Sequence, residues 1–422
     1  MTSTRRSASG STGSSPSRGS STFASLRIPA YRTLWLGGTA SFLAIQMQFV
    51  VRGWLAKELS SSNLALGIMS FAFGLPMLIF TPFGGLAADR LSKRRILQWA
   101  QLALVGSALF LAVAVGFGFV QFWMLVAASV VQGASFSFVG PARVSFAAEL
   151  TGKENLANAV VLTQLSLNGT RVFGPSLAGY LLALKGFGSQ GVLCITAFLM
   201  MVSVLLNGRL PEGRSTRTVN RAPLEDLRAG VAYVRRERHL GLLVVTSTLV
   251  VMFAFPYITF LPSVAKDLYG RGSSAYGMMN TAIALGAVLV SLTLASRMGH
   301  SRRRDWNFVT LSGLGFGGFV LLLGLTPSFG WAVVACALVG GASAGYQSVS
   351  NSLLATESAA EYRGRVQALA QLSFSAFGMI ALPLGALADV VGLRETLVIM
   401  GAVAVAATVA FQALRSWADA AS

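Results

Sequence analysis

The chain has 422 residues, 54% of them hydrophobic and only 11% charged, with a net charge of +18. Soluble domains carry roughly 25% charged residues, so this composition excludes an ordinary water-soluble protein. The positive excess would suit a nucleic-acid partner only if it formed a face or stripe, and the basic residues instead collect in short polar breaks between apolar runs.

Residues 1–27 are rich in Ser, Gly and Thr, with scattered Arg and no acid. They predict a disordered cytoplasmic tail, with an organellar transit peptide as the minor alternative. Beyond them, a spanning helix needs roughly 20 mostly apolar residues. Runs of that length fall at 31–57, 63–88, 95–117, 121–147, 157–184, 190–208, 240–265, 274–296, 307–326, 330–355, 366–389 and 394–414. Lipid admits only backbones satisfied within the segment, so the reading is an all-α membrane protein with twelve transmembrane helices, numbered here as spans 1 to 12.

Lys and Arg set the orientation. The breaks after spans 2, 4, 6, 8 and 10 hold Arg90, Lys93, Arg94 and Arg95; Lys153; the run from Arg209 to Arg238; Arg297, Arg302, Arg303 and Arg304; and Arg363 and Arg365. The alternate breaks hold only Lys57, Lys185, Lys266, Arg271 and Arg394. The Arg-rich breaks and both termini are therefore placed in the cytoplasm, in a plasma-membrane protein. The long break at 209–238 contains LEDLRAGVAYVRRER, which can form an amphipathic helix with Leu224, Leu227, Val231 and Val234 on one face. It reads either as a linker lying on the inner leaflet or as a solvated spacer.

The two sides of that linker repeat each other. LAKEL (55–59) recurs as VAKDL (264–268), LGIMS (66–70) as YGMMN (276–280), QGAS (132–135) as GGAS (340–343), Glu149 as Glu357, and QLS (164–166) as QLS (371–373), all at offsets between 207 and 210. Five weak matches in one order imply duplication. The chain divides into an N-terminal six-helix bundle at 28–208, a linker at 209–238, a C-terminal bundle at 239–415 and a short tail at 416–422. Internal repeats of this kind are the mark of secondary transporters, which rock one bundle against the other around a midplane site.

The break after span 2 carries a motif. Gly85-Leu-Ala-Ala-Asp89-Arg90-Leu-Ser92-Lys93-Arg94 resembles the signature between helices 2 and 3 of the major facilitator superfamily, with Ser92 where the family usually has glycine. The resemblance implies two six-helix bundles with pseudo-two-fold symmetry. It also implies a gating role for Gly85, Asp89, Arg90, Lys93 and Arg94, in which Asp89 faces the start of span 11 near Gly364–Val366 and latches the cytoplasmic side. A bare positive-inside anchor is the other reading of this run. In the second half the acid is replaced by Ser296, so the latch is expected on one side only. RVFGPSLAG (171–179) resembles the Gly-Pro-x-x-x-Gly core of the signature associated with antiporters, which adds Gly174, Pro175 and Gly179 to the gating set. VVQGAS (130–135) resembles another family signature, but Ser129 stands where the family has a basic residue, so no proton-transfer role carries over. MQFVVRGWL (47–55), PARVSF (141–146) and YRGRVQAL (362–369) are most similar to the enterobactin-exporter-like branch.

Polar side chains deep in a span cost several kcal/mol unless they meet a cavity or partner. Gln164, Asn168 and Arg171 fall at i, i+4 and i+7 on one face of span 5; Arg171 either lines a substrate cavity or makes an internal structural pair. Pro175, four residues on, cannot bond the Arg171 carbonyl and should kink the helix. Gln48 and Arg52 share a face of span 1 and join the substrate-cavity set, although Arg52, close to the outer boundary and followed by Trp54, fits snorkelling to the headgroups slightly better. Gln132, Asn280 and Gln371 are the polar points of spans 4, 8 and 11, each a cavity residue or an interhelical hydrogen bond. Glu58, Asp89, Glu149, Asp267 and Asp389 all lie near helix ends, which weakens a simple proton–carboxylate scheme and leaves a positive cavity suited to acid-bearing molecules.

GASAG (341–345) and GLGFGG (313–318) imitate hydrolase and dinucleotide motifs inside apolar spans, where small-residue packing explains them better. The two Cys and two His residues show no metal-ligand spacing, so no enzyme, metal or cofactor is expected. The function implied is proton-driven export of a small organic molecule, with the bilayer and the substrate as partners and a single chain as the functional unit. An importer, an uncoupled facilitator and a transport-dead sensor or scaffold are the alternatives.

Overall fold

The computed structural model describes residues 24–184, 186–213, 223–295, 302–359 and 361–420. They form helices α1 Pro29–Leu59, α2 Asn63–Arg90, α3 Lys93–Gly116, α4 Phe122–Ala183, α5 Gly188–Gly208, α6 Pro223–Arg236, α7 Arg238–Ala254, α8 Tyr257–Ser263, α9 Ser273–Ala295, α10 Arg302–Leu325, α11 Phe329–Glu357, α12 Arg363–Val390 and α13 Leu393–Ala420. Ten segments are long and apolar enough to cross a membrane. The other two predicted spans, the second limb of α4 and α12, are helical along their length.

Four elements depart from the sequence expectation. Spans 4 and 5 form one 62-residue run whose helical geometry fails only at Gly152, with φ 66°; this left-handed backbone costs glycine little, so the expected loop shrinks to one residue. The run is helical through Pro175. Span 7 is composite, because Pro256 lacks the N–H a helix needs: α7 stops at Ala254, α8 follows, and Val264–Leu268 is a π turn. At the ends of the chain, order extends beyond the spans. Ala24–Arg27 is a 3₁₀ turn whose Ser25 N–H donates to Asn158 Oδ1 at 3.0 Å and whose hydroxyl donates to the Asn155 carbonyl at 3.1 Å, and α13 continues to Ala420.

Helices α1 to α5 pack on one another, α1 against both α4 and α5, α3 against α5, and α2 against α4. Helices α7 to α13 do likewise, with α9 on α11, α10 on α11 and α13, and α7 on α12 and α13. The repeat is visible in the packing. A Cβ on Gly133 would sit 2.1 Å from the Phe73 carbonyl oxygen, and one on Gly340 2.0 Å from that of Ile283, so α4 meets α2 backbone to backbone as α11 meets α9. Small residues are what permit such approach between helices in lipid.

Two crossings join the halves. In α2 against α12, Gly67 faces the Ala381 carbonyl and Gly74 the Ser375 carbonyl, where added Cβ atoms would lie 2.5 and 2.9 Å away. In the second limb of α4 against α9, a Cβ on Gly179 would lie 2.1 Å from the Gly277 Cα. Gly67 and Gly277 occupy the same place in the repeat.

The linker helix α6 is docked. Tyr233 stacks on Tyr362 with centroids 4.2 Å apart and accepts the Ala359 N–H at 3.0 Å, while Val234 is buried. The apolar face read from Val231 and Val234 therefore rests on the start of span 11 rather than on free membrane surface; the side chains of Leu224 and Leu227 lie outside those described.

Candidate functional site

The chain ends and Arg-rich turns share one face of the bundle, called here the basic face. On the opposite face the halves are fastened together by groups outside the predicted site. Asp389, at the end of α12, accepts the Asn63 N–H at 2.7 Å, the Leu64 N–H at 3.0 Å and the Ser62 hydroxyl. A carboxylate from one half thus caps a helix N-terminus of the other, where donors are unsatisfied and the dipole favours an anion. Alongside, Lys57 Nζ pairs with Asp267 Oδ2 at 2.6 Å with only 1% of the lysine side chain accessible, and Lys266 Nζ donates to the Lys57 carbonyl at 3.0 Å. These residues belong to LAKEL and VAKDL, the equivalent segments of the two halves.

Inside the closure lies a chamber of about 30 Å³ bordered by Arg52, Ser70, Ser129, Gln132, Thr259 and Tyr276, room for about one water. Ser70 and Thr259 join across it at 3.0 Å. Arg52 is 3% exposed. Its Nε donates to the Gln48 carbonyl at 3.3 Å, one terminal nitrogen to Ser129 Oγ at 3.2 Å and the other to Gln132 Oε1. The headgroup placement of Arg52 is therefore wrong: Ser129 and Gln132 supply acceptors that hold the guanidinium inward. Among the described residues no carboxylate pairs with it. Trp54 stacks on Tyr276, centroids 6.1 Å apart, as part of the closure.

Helix α4 carries the site into open space. Gln164, Asn168, Arg171, Pro175 and Gly179 lie at i, i+4, i+7, i+11 and i+15, one continuous face. Pro175 and Gly179 are buried, the latter against α9, whereas Gln164, Asn168 and Arg171 are exposed. The stripe starts at the contact of Gly179 with α9 and becomes exposed along α4 towards the basic face. Arg171 makes no ion pair or hydrogen bond among the described residues. Gly174 sits to one side and lets α4 approach α1, since a Cβ there would lie 2.6 Å from Gln46 Cβ.

Other expected cavity residues are elsewhere. Gln48 is buried towards α5, donating to Thr196 Oγ1 at 3.5 Å and Met200 Sδ at 3.9 Å. Asn280 is buried and donates to the Tyr276 carbonyl one turn back, at 2.8 Å. The side chains of Gln371, Gly85 and Asp89 lie outside those described, as does the turn 296–301 that holds Ser296.

The basic cluster fastens its own half. Lys93 Nζ pairs with Glu149 Oε2 at 2.7 Å, and an Arg94 terminal nitrogen donates to the Leu210 carbonyl at 3.1 Å. Ser92, where the family usually has glycine, caps α3 by accepting the Arg95 N–H at 3.5 Å and donates to the Glu212 carbonyl at 2.7 Å. Close approach of α2 to α4 falls one residue before Gly85: a Cβ on Gly84 would lie 2.0 Å from the Ser137 carbonyl oxygen.

Sequence reasoning missed Arg143 as a charge. It is 4% exposed, donates to the Leu34 carbonyl at 3.0 Å and lies over the Phe42 ring at 5.1 Å, in a space that exists because residue 38 is glycine. The available signal was an arginine inside an apolar run, cited only as part of PARVSF.

Twelve spans in two repeated halves define a membrane protein of the major facilitator fold. The chain belongs to the transmembrane secretion effector family, whose model matches residues 20–421. It is 22% identical to macrolide efflux protein A of Streptococcus pyogenes, over 88% of this chain and 92% of that one. It is 22% identical to the staphyloferrin A transporter of Staphylococcus aureus, over 85% and 89% of the two chains, and 26% identical to the enterobactin exporter EntS of Shigella flexneri, over 81% and 80%. Among solved structures the fold matches the nucleoside transporter NupG with a TM-score of 0.70 at 15% identity, covering 91% of this chain and 98% of that one. A bacterial homologue of the human lysosomal transporter Spinster, solved in an inward-facing and unoccupied conformation, matches with a TM-score of 0.68 at 16% identity, covering 94% and 97%.

Proposed function

We propose that the protein exports an acid-bearing small organic molecule across the plasma membrane by alternating access, in exchange for protons, with the basic face and both termini in the cytoplasm. In that orientation the contacts of Asp389 and of Lys57–Asp267 lock the outer side, as an inward-facing state requires. The observation that carries the substrate class is the pair Arg52 and Arg171, one buried beneath the lock and one exposed on the α4 stripe, neither with a carboxylate partner among the described residues. A buried cation without a counter-ion costs several kcal/mol, and a substrate carboxylate or catecholate entering from the cytoplasm would offset that cost. Relatives named for macrolide efflux and for siderophore transport support the outward direction and a sizeable organic substrate. Proton coupling rests on the superfamily resemblance alone.

The test is flux in inside-out vesicles with an imposed pH gradient, using acidic siderophore-like, neutral and cationic compounds. Uptake of acids that depends on the gradient and is lost in Arg171→Gln is the expected result. Gradient-independent uptake makes the protein a facilitator, and preference for cations with an unaffected Arg171→Gln overturns the substrate class. No flux for any compound, with the phenotype of the cell unchanged by Arg171→Gln, returns the sensor reading.

A further inference from the structure

Helices α2 and α3 part soon after their shared turn and leave a groove of about 850 Å³ lined by α2, α3 and α4. Arg90 and Leu91 form one wall, Arg95 and Trp99 the other, and Ser135 and Phe138 of α4 the floor. Its mouth is cationic and wet while its depth is apolar. Arg90 is exposed with no ion-pair partner among the described residues, and Arg95 shares Glu212 at 3.2 Å on the rim. Trp99 is 72% and Leu91 56% exposed, and Phe138 contacts the ring of Phe80 at 6.2 Å. Phe80 lies ten residues before Arg90, about 15 Å along a helix at 1.5 Å per residue, so the apolar part reaches well into the hydrocarbon from a rim at headgroup depth.

We propose that this groove binds an anionic glycerophospholipid of the surrounding leaflet, its phosphate on Arg90 and Arg95 and an acyl chain along Trp99 and Phe138. The two-part chemistry selects the occupant. Basic pockets between spanning helices take anionic headgroups, a tryptophan at the membrane interface suits the boundary between headgroup and chain, and the net positive rim disfavours a choline headgroup. A free anion would leave the apolar floor uncovered. The site lies in the first half alone, so it stands apart from the substrate reading.

The test uses the full chain in a neutral detergent, titrated with phosphatidylglycerol, phosphatidylcholine or inorganic phosphate, following thermal stability and lipid retention by native mass spectrometry. Phosphatidylglycerol alone should stabilise and remain bound, with at least a tenfold loss of apparent affinity in the Arg90→Gln/Arg95→Gln double variant. Arg90→Lys should keep most of the affinity, and Ala100→Trp, which fills the groove without changing charge, should lose it; these two decide the matter if the double variant does not fold. Equal binding of phosphatidylcholine, equal stabilisation by inorganic phosphate, or undiminished retention in the groove-filling variant overturns the proposal.

Discussion

At the scale of single residues, the decisive contrast is between cations that have partners and cations that lack them. Lys57 is buried with Asp267 opposite, so Asp267→Asn strands a charge. Exposed pairs are worth under about 1 kcal/mol and breaking buried ones costs about 3–5 kcal/mol; with Asp267 half-exposed, about 2 kcal/mol is expected. That is roughly a 30-fold shift towards an open outer side, to be read by distances between spin labels on the outer ends of α1 and α8. Arg52→Met should behave in the opposite way. Removing a buried, unpaired charge is close to neutral for stability, so the melting temperature should hold within a few degrees while substrate binding disappears; a large loss of stability would make Arg52 structural. That Arg171 lies deep was legible from its position in an apolar run; the depth of Arg52 was not, since its place near the end of span 1 suggested the headgroups. Their directions were not, because a polar side chain in a helix can turn to a neighbouring span or to the cleft, and only the partners Ser129 and Gln132 decide. Gln48, Asn280 and Arg143 were misjudged or missed for the same reason.

At the scale of helices, glycine spacing distinguishes contacts from open surface. Gly133→Ala should cost about 1–3 kcal/mol by overpacking, because its Cβ meets the Phe73 backbone, whereas Gly140→Ala, with nothing within 4 Å, should stabilise by up to about 1 kcal/mol. Thermal melts of the two variants side by side check this pair; equal effects would mean that α2 and α4 are not in backbone contact. Tyr233→Ala should release α6 from the start of α12, seen as faster amide exchange across Pro223–Arg236 with the spans unchanged. Span positions were readable from hydropathy, since lipid tolerates no other backbone. The break at Pro256, the single-residue turn at Gly152 and the docking of α6 were not, because each depends on which helix lies alongside.

At the scale of the whole molecule, the repeat was the most informative feature of the sequence. It aligned Lys57 with Lys266, Glu58 with Asp267 and Gly67 with Gly277 before any geometry was known, as symmetric counterparts rather than as contacts. What it could not convey is asymmetry. Lys57 finds Asp267, but Glu58 accepts instead from Trp54 Nε1 at 2.6 Å and Lys266 turns to a carbonyl. A chain with Asp389→Ala should therefore lose one of two outer fastenings, not both. It should retain part of its inward-facing population in the same spin-label measurement, and Asp389→Ala combined with Asp267→Asn should lose nearly all of it; full loss in Asp389→Ala alone would assign the closure to that residue.

The glycine crossings carry a mechanical consequence. If the halves rock as proposed, backbone sliding on backbone needs no side chain to change rotamer and no cavity to be refilled, so α2 on α12 and α4 on α9 would act as a matched pair of bearings with little friction. Resistance to rocking would then be concentrated in the few polar bonds at the rim, and the speed of the cycle would be a property of a handful of breakable latches rather than of the bulk of the bundle.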